Sequence, residues 1–110
     1  MTAETKARSV MSPVRARAIE TLRRLVLETL GERQAAVYLF GSHARGEVRH
    51  ASDIDVAILP YEELSPSFLA LLVDKIEEST IPYDVDLVDL RDVSAAFRDK
   101  VIRTGIKWRD

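Results

Sequence analysis

At 110 residues the chain is long enough for one small domain with a core and too short for two. Hydrophobic residues make up 46% and charged residues 31%, the balance of a globular, water-soluble chain, and a net charge of -2 gives no global drive toward nucleic acid or an anionic membrane. The absence of cysteine excludes disulfides, thiolate metal sites and cysteine nucleophiles.

Residues 1–11 are polar and aperiodic and read as a flexible segment, which leaves 12–110 as the folded domain. They hold no apolar core of signal-peptide type, and no apolar run approaches the roughly 18 residues that span a bilayer. A cytoplasmic location is therefore the expectation. Ser12-Pro13 has the form of a helix start, a capping hydroxyl followed by proline in the first turn. Val14, Ala18, Leu22, Leu25, Val26 and Leu30 then recur at spacings of three and four, and Gly31 ends the stripe. Ala36–Phe40 is a short apolar run closed by Gly41, and Ile54–Leu59 is a second, closed by Pro60; both read as strands. Ser65-Pro66 repeats the helix-start signal, with Phe68, Leu69, Leu72, Val73 and Ile76 as its stripe to about Ser79. Asp84–Leu90 alternates acid and apolar, the pattern of a strand with one wet face. Ser94–Thr104 is a last helix, Gly105 stops it, and Ile106-Lys107-Trp108 reads as a short edge strand. The order is helix, strand, strand, helix, strand, helix, strand. It specifies an α/β (α+β) domain with a small mixed sheet flanked by helices.

The chemistry concentrates in GSHARGEVRHASDID, residues 41–55. Aspartate is poor in a strand interior, and a buried charge is costly without a partner. Residues two apart on a strand point to one face, so Asp53 and Asp55 project together. Two neighbouring carboxylates repel, so either a cation sits between them or one takes a proton. Oxygen ligands alone select a hard ion, Mg²⁺ or Mn²⁺, and Mg²⁺ completes its shell with water and substrate phosphates. A third carboxylate would complete a two-metal site. Asp84, Asp86 and Asp89 are available on the next strand. Asp86 opposes the face of Val85 and Leu87, Asp84 shares its face at the strand's beginning, and Asp89 has the other parity. Upstream, Gly41 lets a phosphate approach the backbone, Ser42 adds a hydroxyl donor, and Arg45 adds a fixed cation. Strand, phosphate turn and metal-binding strand form a layout for handling a nucleoside triphosphate.

Gly41-Ser42, ten residues, then Asp53-x-Asp55 resembles the signature of the DNA polymerase beta-like nucleotidyltransferase superfamily. With DVDLVDL downstream, the string resembles its minimal nucleotidyltransferase (MNT) branch over about residues 12–108. The resemblance implies a mixed sheet with Asp53 and Asp55 on one strand and Asp86 on a neighbour. Together these three would bind two Mg²⁺ ions, with Asp86 also helping to activate the acceptor hydroxyl. It implies transfer of AMP from ATP to a hydroxyl, with pyrophosphate leaving. Small free-standing members typically accompany a HEPN RNase toxin, so the implied acceptor is a toxin tyrosine and the implied role is that of an antitoxin in a hetero-complex. Two alternatives stay open: a vestigial antitoxin that neutralises its partner by binding, and a small-molecule transferase subunit of the antibiotic-modifying kind.

Other residues read as structural. His43 and His50 are isolated and make no zinc site. Arg45 is equally suited to a phosphate or to Glu47, and Gly46 reads as conformational. Asp84 and Asp89 read as solvated. Tyr38 and Phe40 read as core rather than base-stacking groups, and Tyr61 and Tyr83 as loop packing. The arginines of the first helix and the tail around Trp108 are candidate docking surfaces, without the basic patch and interleaved aromatics of an RNA-binding domain.

Overall fold

The computed structural model describes residues 13–41, 44 and 53–110. The N-terminal segment with Ser12, and the positions of Ser42, His43, Arg45, Gly46, Glu47, His50 and Ser52, lie outside the described residues. Among those described, the chain runs α1 (Pro13–Leu30), β1 (Ala35–Phe40), β2 (Ile54–Pro60), α2 (Pro66–Glu77), β3 (Val85–Asp89), a 3₁₀ turn (Leu90–Asp92), α3 (Ala95–Thr104) and β4 (Ile106–Arg109). The strands form one sheet in the order β3-β2-β1-β4. β1 is antiparallel to both β2 and β4, whereas β2 and β3 are parallel and joined through α2.

Local chemistry sets the helix ends. Ser65 Oγ accepts from the Phe68 N–H at 3.0 Å, and Ser94 Oγ accepts from the Phe97 N–H at 3.1 Å. Each satisfies a backbone donor that the first helical turn leaves without a partner. Gly31 takes a left-handed φ of 59° after α1, and its N–H donates to the Leu27 carbonyl at 3.0 Å. Arg109, at the end of β4, donates to the carbonyls of Gly31 and Arg33, so the last strand ties down the turn between α1 and β1.

Strand alternation builds two unequal cores. Val37 and Leu39 of β1 and Ile54, Val56 and Ile58 of β2 face α1 and α2, where they meet Leu22, Val26, Leu30, Leu72 and Ile76. The opposite face carries Ala36, Tyr38 and Ala57 beneath Leu90 and Val101, so α3 and the 3₁₀ turn cover it only in part. Tyr38 is buried there, as expected of a core residue, and burial raises the pKa of its phenol. Tyr83 packs at the first core beneath Arg15, whose guanidinium lies 5.6 Å from the ring centroid. Tyr61, by contrast, is 60% exposed and packs little.

Three expectations change on the fold. Asp89 is not a solvated acid: it caps the 3₁₀ turn through the Arg91 N–H at 2.9 Å and forms an ion pair with the Arg91 guanidinium at 2.7 Å. That pairing holds its carboxyl below the usual range. Trp108 lies on the edge strand its sequence predicts, β4, but is half-buried against the larger core rather than free as a docking surface. The arginines of α1 are partly engaged at home, since Arg23 and Arg24 both reach Glu20.

Candidate active site

The site forms where β1 ends and β2 and β3 begin. Asp55 pairs in register with Phe40 across the antiparallel ladder and with Asp86 across the parallel one. Register partners present their side chains to the same face, so Asp55 and Asp86 stand side by side on the face that α3 partly covers. The parallel pairing is anchored just before them, where the Ile54 N–H donates to the Asp84 carbonyl at 2.9 Å. Asp55 is half-buried, while Asp53 and Asp86 are exposed at the mouth of the sheet.

Gly41 completes this corner. Its φ is 78°, in the region that side chains with a Cβ rarely enter. A Cβ here would press on Asp55 Oδ2 and lie 3.2 Å from Asp55 Cγ. Sequence spacing leads one to expect a phosphate-facing glycine here; the fold shows a different task, since the half-buried carboxylate needs the space a side chain would fill. The Ala44 N–H donates to the Gly41 carbonyl at 3.1 Å.

The donor set suits a hard divalent cation. Its ligands are carboxylate oxygens on adjacent strands, and an ion such as Mg²⁺ uses one or two carboxylates and takes its remaining ligands from water and phosphate. Among the described residues, no three histidine or acidic side chains are gathered closely enough to hold an ion by themselves. The register brings Asp55 and Asp86 together, and Asp53 lies exposed just before β2. Ser42 and Arg45, the remaining phosphate-binding candidates, lie outside the described residues. Phe40 had no expected place here, because only the β1–β2 register makes it the cross-strand neighbour of Asp55.

A parallel pair of strands carrying in-register aspartates beside a glycine turn is the arrangement that the resemblance to nucleotidyltransferases implies. The chain matches the polymerase beta nucleotidyltransferase family over residues 27–107 and belongs to that family. It is 31% identical to a solved minimal nucleotidyltransferase, with a TM-score of 0.67 and coverage of 82% of this chain and 92% of that one. Over 69 residues it is 39% identical to the protein adenylyltransferase MntA of Shewanella oneidensis, a match covering 63% of this chain and 49% of that protein. It also resembles, at 29% identity and a TM-score of 0.60, a chain of the complex between a tri-AMPylated HEPN toxin of Shewanella oneidensis and its MNT antitoxin. That likeness covers 84% of this chain and 70% of the other. The chain spans about half the length of the curated relatives it matches. Among the described residues, no helix is long and apolar enough to cross a membrane.

Proposed function

We propose that this protein is a metal-dependent nucleotidyltransferase that moves AMP from ATP to a tyrosine hydroxyl of a partner HEPN toxin, and so acts as its antitoxin. The observation that carries this reading is the in-register pairing of Asp55 with Asp86 beside Gly41. The protein and toxin acceptors of the adenylyltransferase and MNT relatives support the choice of substrate.

In this reading Asp53, Asp55 and Asp86 hold Mg²⁺, two ions in the full site, with Mn²⁺ an acceptable substitute. The bound metal supplies charge neutralisation on the phosphoryl oxygens and alignment of the attacking and leaving oxygens. The backbone at Gly41 admits the triphosphate, and Ser42 and Arg45 contact it. Asp86, exposed at the rim, receives the proton of the acceptor hydroxyl as its oxygen bonds to the α-phosphorus and pyrophosphate departs. An exposed mouth suits a protein acceptor, since a tyrosine on a partner's surface must reach the α-phosphorus without a closed pocket around it.

The test is transfer from α-labelled ATP in Mg²⁺ to a co-purified HEPN partner, with the wild type and the Asp53→Asn/Asp55→Asn double variant. Label on the partner with the wild type only is the expected result. Full labelling by a folded double variant would remove the assigned site. A partner that is bound and silenced without label would replace catalysis with occlusion.

A further inference from the structure

We infer that Lys100 is a second cation for the triphosphate, supplied from α3 across the cleft from the glycine turn; this rests on the nucleotidyltransferase reading above. A cavity of about 200 Å³ opens between α3 and the end of β1, lined by Phe40, Gly41, Phe97, Lys100, Val101 and Thr104. Two of its walls belong to the candidate active site. Gly41 is the turn packed on Asp55, and Phe40 is the register partner of Asp55. The cavity therefore adjoins the carboxylates on the same face of the sheet.

Lys100 is exposed, and its neighbours on α3 place it on the cavity wall. Residues 97, 100, 101 and 104 follow one another at three, one and three, so they share a stripe of α3. Val101 on this stripe is buried, and Phe97 meets the Phe40 ring edge-to-face with centroids 5.8 Å apart. A lysine in that row can lay its aliphatic stem along an apolar wall while its ammonium stays in solvent, and Lys100 lines this cavity. Its neighbours on α3 are engaged elsewhere: the Arg98 guanidinium donates to the Leu90 carbonyl at 3.4 Å, and Thr104 Oγ1 donates to the Lys100 carbonyl at 2.6 Å. Among the described residues, Lys100 forms no ion pair.

The chemistry that matches is a polyphosphate. The cavity supplies one positive charge beside a turn whose backbone can be approached closely, and a lysine binds phosphate as a compact point charge. A triphosphate whose α-phosphorus lies at Asp55 and Asp86 would run its β- and γ-phosphates along Gly41, within the reach of α3. A nucleobase is the competing occupant, because the two phenylalanines offer stacking surface. A cationic side chain on the cavity wall beside the turn favours the phosphates.

The deciding experiment titrates the wild type, Lys100→Met and Lys100→Arg with Mg·ATP and, as a probe without phosphate, adenosine. Lys100→Met should weaken Mg·ATP about ten- to a hundredfold, the loss expected on removing a charge-assisted contact. Lys100→Arg should recover most of that loss, and adenosine binding should not respond to either change. An equal loss for adenosine would assign the cavity to the base and overturn the proposal, and unchanged Mg·ATP binding by Lys100→Met would also overturn it. If the wild type itself binds no Mg·ATP, the nucleotidyltransferase reading falls with it, an outcome distinct from a failure at Lys100 alone. Equal melting temperatures for the three proteins, expected at an exposed position, separate binding from folding.

Discussion

Replacing Gly41 with alanine perturbs the site with a single methyl group. Two separable effects follow. The residue must hold a φ of 78°, which costs a residue with a Cβ about 1–2 kcal/mol. The added carbon also overlaps the Asp55 carboxylate, which must retreat by about 1 Å to regain ordinary contact. Gly31 provides the matched control. It too has a left-handed φ, 59°, but a Cβ there meets only the Glu28 carbonyl, at 4.0 Å. Gly31→Ala and Gly41→Ala should therefore each lower Tm by about 4–8 °C per kcal/mol of that conformational cost. A domain stable by about 5–15 kcal/mol stays folded after either change, so unfolding cannot account for a loss of transfer. Gly41→Ala alone should lose about a hundredfold in kcat/KM for adenylyl transfer, the penalty for displacing a reacting group by an ångström. Measuring labelled-AMP transfer beside melting curves for both variants checks this. If Gly41→Ala keeps kcat/KM within about twofold of Gly31→Ala, a margin small beside the tenfold step of 1.4 kcal/mol, the carboxylate's position is not what the glycine protects.

Further predictions concern the scaffold. Asp89 has a lowered pKa through its pairing with Arg91, so its contribution to stability is fully present above the ordinary carboxylate range and declines as pH falls through the lowered value. Asp89→Asn should therefore lose stability at pH 7 and show a shallower decline than the wild type below about pH 4; identical slopes in denaturant titrations across that range would refute this. Leu72, fully buried between α2 and the sheet, should cost about 2–5 kcal/mol as alanine, read as a lower denaturant midpoint; a loss below about 1 kcal/mol would mean that α2 is not anchored there. Ser94→Ala removes the cap of α3 and should destabilise by about 1 kcal/mol; it should also weaken Mg·ATP binding if α3 carries the phosphate contact.

The architecture is legible in the chain because its signals are local. Ser65-Pro66 and Ser94 act as caps, Gly31 is left-handed, and apolar spacing places the core stripes. Asp86 could be chosen over Asp89 from parity alone, since side chains alternate along a strand, and the register confirms that Asp55 and Asp86 share a face. What stayed hidden depends on partners distant in sequence. Asp89 lies within an alternating pattern that reads as a wet strand face, and its role emerges only where the chain leaves the strand and Arg91 folds back. Trp108 falls on a strand that the sequence predicts, but its packing against the core emerges only when β4 pairs with β1. Phe40 becomes part of the site only through its register with Asp55. The overlap between Gly41 and Asp55 is a property of the packed corner, which no spacing in the sequence encodes.

Strand β3 lies at the end of the sheet and hydrogen-bonds to β2 alone among the described strands. Asp86 is therefore carried by an outer strand, whereas Asp55 is carried by a strand paired on both sides. Outer strands open in sub-global fluctuations at lower free energy than the interior. Peeling β3 away would part the two carboxylates while β1, β2 and β4 keep their hydrogen bonds, so catalytic competence would be lost before global unfolding. Amide hydrogen exchange along residues 85–89 would then measure the fraction of time during which the two halves of the site are joined.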